Sequence, residues 1–216
     1  MDRNCVLALT AVWCLTLAGC SSSEESKKAE APAVPQKETV PDIFHVKLET
    51  SKGLVDIEVH RDWAPNGADH IHRLTKGGFF DGARFFRVVR NFVVQFGING
   101  DPKTNAMWAN AQIPDDPAKE HNVKGTVTFA NLGPGTRTTQ LFINLNDNRK
   151  SLDNTGFVPI GKVVAGMDAV EMLYNSYGEV EPRGQGPNPT KIQQQGNEYL
   201  ETHFPRLDFI KKATVQ

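Results

Sequence analysis

Short alternations of apolar and polar residues, each closed by a turn, constrain this chain more than any other feature. Phe44, Val46 and Leu48 alternate with His45, Lys47 and Glu49. After Ser51-Lys52-Gly53, Val55, Ile57 and Val59 alternate with Asp56, Glu58 and His60. A period of two puts every apolar side chain on one face, and two such runs around a Gly-containing turn predict a half-buried hairpin. Further strands are expected at 85–89, 92–96, 125–130, 140–145, 156–164 and 207–215. Helical spacing is rarer. Pro65 opens a helix with Ala68, Ile71 and Leu74 on one face, stopped by Gly77 and Gly78. A second helix is expected at 167–174. Eighteen Gly and thirteen Pro suit a turn-rich chain. The fold class expected is mainly β: a closed antiparallel eight-stranded barrel capped by two helices.

The domain is expected to span 42–216. Its tail, 177–216, contains a loop at 184–189, a short helix at 197–203 ended by Pro205, and a last strand that removes the open edge of the barrel. The segment 97–122 is expected to be irregular and to run along the functional groove. It either gates or selects substrate, or it is a structural loop with Trp108 as a buried anchor.

Residues 1–20 have the form of a targeting segment, with Arg3 ahead of an apolar stretch too short to span a membrane. Leu17-Ala18-Gly19-Cys20 resembles the lipobox of bacterial lipoproteins; the alternative is an ordinary secretory signal with a chance Cys. On the lipobox reading Cys20 carries the lipid, and several acyl chains hold the protein at the membrane because each buried CH₂ contributes about 0.8 kcal/mol. Residues 21–41 then form a disordered tether of Ser, Glu, Lys, Ala and Pro. Localisation at the cell envelope follows, facing the periplasm, with Ser21 after the Cys favouring the outer membrane. The other two cysteines, Cys5 and Cys14, lie in the segment to be removed, so the domain has no thiol nucleophile and no disulfide.

Net charge is −1, so no global basic field recruits nucleic acid. Asp69-His70-Ile71-His72 invites a metal site, but helix positions two apart point about 200° from each other. No metal and no cofactor is expected. Nothing suggests an obligate interface, so a monomer is expected. No Ser/His/Asp grouping supports a hydrolase.

Two runs carry the chemistry. The first is Phe85-Phe86-Arg87-Val88-Val89-Arg90-Asn91-Phe92-Val93-Val94-Gln95; the second extends from Phe129 to Asn144 and includes Ala130, Asn131, Arg137, Gln140 and Phe142. In order and spacing they resemble the active-site signature of cyclophilin-type peptidyl-prolyl cis/trans isomerases, over roughly 44–170. The resemblance implies that Arg87 is the catalytic arginine, with Phe92 and Gln95 beside it. It also implies that Phe92, Phe142 and Leu152 line a proline pocket, with Val93 and Phe157 among its walls. Asn131, beside Ala130, would offer its backbone to the residue before the proline, and Gln140 would lie on the adjoining groove. Proline-containing polypeptides are the implied partners, and folding of exported proteins is the implied role. A non-catalytic proline-peptide-binding chaperone or scaffold is the alternative. Three positions depart from common family members. Arg90-Asn91 replaces Pro-Gly, Ser151 replaces a Trp, and Phe157 stands near a His position; the loss of the Trp implies weak cyclosporin binding.

Overall fold

The computed structural model describes residues 39–216. The expected targeting segment, Cys20 and all but the last three residues of the expected tether lie outside the described residues. Val40, inside that expected tether, packs against the core.

Eight antiparallel strands form one sheet. They are β1 (Ile43–Thr50), β2 (Leu54–His60), β3 (Arg87–Val89), β4 (Val93–Phe96), β5 (Thr126–Phe129), β6 (Leu141–Asn144), β7 (Pro159–Ala165) and β8 (Ile210–Val215). Their spatial order is β3-β4-β6-β5-β7-β2-β1-β8. The sheet curls until its ends meet on a short seam just ahead of β3 and β8. There Gly82 and Phe85 donate backbone N–H groups to Ile210 and Asp208, at 2.8 and 3.0 Å, and Ile210 donates to Ala83 at 2.9 Å. The β1–β2 hairpin has the register its alternation dictates, with Val46 opposite Ile57 and Leu48 opposite Val55. All four side chains are buried in the barrel interior.

The α-helices are α1 (Pro65–Lys76), α2 (Pro102–Trp108), α3 (Arg149–Leu152), α4 (Met167–Glu171) and α5 (Pro189–His203). The expected helix at 65–76 is α1, with Ala68, Ile71 and Leu74 fully buried. Three expectations need correction. The segment 97–122 is not wholly irregular, because Asp101 caps α2 by accepting from the N–H groups of Lys103 and Thr104, and Pro102 sits at its first turn. The tail helix starts at Pro189 instead of 197, capped by Asn188, and breaks at Gly196, where φ is 64° and ψ −146°. A Cβ at Gly196 would lie 2.0 Å from the Gly100 carbonyl oxygen, so the break is where α5 closes on the loop before α2. The expected helix at 167–174 is shorter, ending at Glu171. Two capping helices are therefore joined by three more.

Trp108 is half-buried against the core and is not the main anchor of its loop. That role falls to Asp116, whose carboxylate accepts from the N–H groups of Asn66 and Gly67 at 2.9 and 3.0 Å. It thereby caps α1, where Ala64 at the cap position has no side chain able to do so.

His70 lies inside α1 with no solvent exposure, its ring against Trp108 and Phe129. Arg73 donates to its Nδ1 at 3.0 Å, fixing the neutral tautomer with hydrogen on Nε2. Burial, then the Arg73 charge, push its pKa down to about 4. A folded pKa below the unfolded value of about 6.5 gives stability that is complete above that value and is lost as pH falls towards 4. The wild type is expected to lose on the order of 3 kcal/mol on this account between pH 7 and 4. Urea titrations across that range should show a steeper pH dependence for wild type than for His70→Gln; equal slopes would refute the assignment.

Candidate active site

Strand register assembles the site. Arg87 on β3 is directly opposite Gln95 on β4, and Gln95 is opposite Phe142 on β6. Phe142 is in turn opposite Thr128 on β5. Directly opposed residues on a sheet share a face, so Arg87, Gln95, Phe142 and Thr128 form one row. The neighbouring row, Val94, Ile143 and Val127, belongs to the barrel interior. The site therefore lies on the outer face, one residue out of phase with the core. The β3–β4 turn that sets this register depends on Asn91, whose φ of 57° is the one positive value at a non-glycine residue among the described residues. Asn tolerates that left-handed geometry, which meets the departure from Pro-Gly noted in the sequence.

The guanidinium of Arg87 is held from two sides. Its Nη1 donates to Gln95 Oε1 at 3.0 Å. Its Nε and Nη2 donate to the two carboxylate oxygens of Glu179 at 2.7 and 2.8 Å. Gln95 passes the chain on, donating from Nε2 to Gln140 Oε1 at 2.9 Å. Gln140 is brought close because Gly97, just after β4, packs onto the backbone of 139–140; a Cβ there would stand 2.4 Å from the Thr139 carbonyl oxygen. The Arg87 guanidinium carbon lies 5.4 Å from the centre of the Phe92 ring. Five N–H groups are available on an arginine, and three are taken, so one remains on each terminal nitrogen.

Beside the guanidinium is an apolar cluster separate from the barrel core. Val93, Phe142 and Leu152 are its buried floor, and Phe92, Ala130 and Phe157 pack around them half-buried. Phe157 meets Phe142 edge-on at 5.5 Å, retaining an aromatic wall. All of the residues expected to line a proline pocket are in this one cluster. Asn131 lies next to it, its Nδ2 donating to the Gly156 carbonyl at 3.2 Å and its Oδ1 accepting from the Gly133 N–H. The 133–136 segment is a turn, closed by Thr136 Oγ1 between the Leu132 N–H and the Gly133 carbonyl.

A buried polar network supports the cluster from behind. Asn148 Nδ2 and the Leu145 N–H both bind the Phe92 carbonyl, each at 2.8 Å. Asn122 receives the side chains of Thr128 and Asn144 and donates to Asp153 and to the Phe157 carbonyl. Burial pushes the Asp153 carboxyl up, but hydrogen bonds from the Asn122 backbone and side chain and from His121 outweigh it and hold the group below the usual range. The network leaves few donors and acceptors free beneath Phe92 and Phe157, which fixes the wall they form.

Glu179 was not foreseen. It is 92 residues from Arg87, in a stretch with no periodic pattern between the helix expected at 167–174 and the loop expected at 184–189.

The sequence model of the family described as cyclophilin type peptidyl-prolyl cis-trans isomerase/CLD matches residues 45–196. A peptidyl-prolyl cis-trans isomerase of Acinetobacter baylyi is 32% identical over 137 residues, covering 60% of this chain and 71% of the relative. A probable peptidyl-prolyl cis-trans isomerase of Brucella abortus is 33% identical over 161 residues, covering 68% of this chain and 79% of the relative. Among solved structures, a cyclophilin type isomerase of Cryptosporidium parvum superposes with a TM-score of 0.58 at 18% identity, over 81% of this chain and 98% of that one. A second crystal structure of that protein, in the presence of the dipeptide Ala-Pro, gives 0.56 at 17% identity, over 80% and 98%.

Proposed function

The chain belongs to the cyclophilin-type peptidyl-prolyl cis-trans isomerases, and from that membership we propose that Arg87 carries the reaction while the Phe142 cluster holds the proline ring. A prolyl amide resists rotation because its nitrogen shares a lone pair with the carbonyl, giving a barrier of about 18–20 kcal/mol. In the twisted state the nitrogen becomes pyramidal and regains that pair. A donor aimed there stabilises the twisted state more than the planar one, which is what lowers a barrier. The observation that carries the reading is the pairing of a fixed guanidinium, with two N–H groups left over, and an apolar cluster beside it, joined to it through Phe92. No nucleophile or titrating base is needed, since no bond is broken.

Gln95 holds the guanidinium and Phe92 flanks it. Val93, Phe142, Leu152 and Phe157 surround the ring, while Ala130, Asn131 and Gln140 border the groove for the flanking peptide. The substrates proposed are proline-containing segments of polypeptides, free to enter from solvent. Exchange NMR on a proline peptide tests the reading. Cis/trans exchange much faster than the uncatalysed ~10–100 s is expected. Peptide binding with no acceleration would overturn it in favour of a scaffold.

The lipobox-like Leu17-Ala18-Gly19-Cys20 supports a second element of the proposal, lipid attachment at Cys20 and action on exported chains at the cell envelope. Cys20→Ser is expected to abolish fatty-acid labelling and to move the protein from the membrane to the soluble fraction. Unchanged labelling would refute the anchor.

A further inference from the structure

Glu179 lies outside both sequence runs, yet it makes the closest contacts to Arg87. We infer that Glu179 is a positioning residue of the isomerase: its carboxylate grips the guanidinium side-on, so that the two remaining N–H groups are aimed at the prolyl amide before substrate arrives. The inference rests on Arg87 being the donor to that amide.

An arginine has a long stem and about 2 kcal/mol of rotamer freedom, which a single contact to Gln95 does not remove. Two parallel bonds at 2.7 and 2.8 Å add the geometric restraint, because a carboxylate matches the Nε/Nη2 edge in one plane only. With Gln95 on Nη1, the plane and its rotation are both set.

The carboxylate is itself anchored. Glu179 Oε1 also accepts the Val180 N–H at 3.0 Å. The Glu179 carbonyl accepts the Gly186 N–H at 2.8 Å, and Val180 is buried in a second cluster with Phe86, Ile98 and Leu200. Gly184 is pressed so closely on this backbone that a Cβ would lie 2.3 Å from the Glu179 carbonyl oxygen. Glu179 thus stands on a packed segment, not on a free arm.

A negative charge beside Arg87 also weakens its field, which would count against Glu179 if the reaction created an anion. Prolyl rotation creates none. It relocalises a lone pair, so the direction of the N–H groups matters more than the net charge of the pair. Orientation is therefore the larger effect.

Glu179→Gln tests this, because Gln keeps the shape but turns one acceptor into a donor facing Nη2. By exchange NMR on a proline peptide, kcat is expected to fall about tenfold with KM changed less than about twofold. In an Arg87→Ala background, at enzyme concentrations that reveal the residual rate, the same change is expected to have no further effect, since the two side chains act as a unit. The Arg87 Nε–H signal, slowly exchanging in wild type, should be lost in Glu179→Gln while the β3 and β4 amides stay in place. Glu181→Gln, two residues on, should leave the rate unchanged. An unchanged or raised kcat in Glu179→Gln, or an equal loss in the Arg87→Ala background, overturns the role of Glu179 alone. A wild type that does not accelerate exchange overturns the isomerase reading, and this role with it.

Discussion

Arg87→Ala is expected to lower kcat/KM for a proline peptide by about 10²–10³-fold, the usual cost of removing one pre-aimed donor from a transition state. The loss should fall on kcat, because the cluster proposed to hold the ring, Val93, Phe142 and Leu152, is not touched by the substitution. Arg87→Lys should recover little. An ammonium keeps the charge but cannot span both Glu179 oxygens and Gln95 together. Stability should fall by about 1–3 kcal/mol, since Arg87 is half-buried and its loss leaves the Glu179 carboxylate without its two-pronged partner. Exchange NMR with paired urea melts checks both halves. A kcat within threefold of wild type would remove Arg87 from the mechanism.

Asp116→Ala is expected to destabilise the fold by about 3–5 kcal/mol, the range for stripping one partner from a buried ion pair. The Asp116 side chain is fully buried and Arg137 is 1% exposed, with Nη2 3.0 Å from the carboxylate. Arg137 would keep the Pro114 carbonyl and the half-exposed Asp115, 3.4 Å from Nε, which is too little to compensate a buried cation. The same carboxylate caps α1, so the Asn66 and Gly67 N–H groups would also lose their acceptor. A domain of this size has a total stability of roughly 5–15 kcal/mol, so the loss removes a large share of it. Asp115→Ala is the control, expected to cost under about 1 kcal/mol because the Asp115 carboxylate is itself 42% exposed and stands farther from Arg137, at 3.4 Å. Urea midpoints for the two variants decide it; similar midpoints would show that Asp116 is dispensable.

The contrast between these two arginines shows what could be read from the sequence. Arg87 was legible because it is a single charge in a run of large apolar residues, opposite Gln95 in a short hairpin. Pairing across that hairpin is local, and the resemblance supplied the rest. Arg137 stands inside the second run, but its burial and its pairing with Asp116 come from tertiary packing that no spacing encodes. Glu179 was hidden for the same reason, being brought to Arg87 by the packing of Val180 with Phe86, Ile98 and the α5 residues Ile192 and Leu200. Helix α2 was missed because none of its residues is buried, so it has no apolar stripe. Its cap, Asp101-Pro102, was the only local signal. The first half of α5 was missed because Gly196 interrupts the pattern, although Asn188-Pro189 marks its start.

The site's place on the outer face of the barrel, one residue out of phase with the interior, has a consequence for what can be processed. A site on the outer wall of a barrel, outside its interior, requires no threading. On the proposed reading, a prolyl bond in the middle of a long chain is gripped with both flanking arms trailing into water, and released without unravelling either end. Clients of any length are thus within reach, including ones whose remaining parts have already folded.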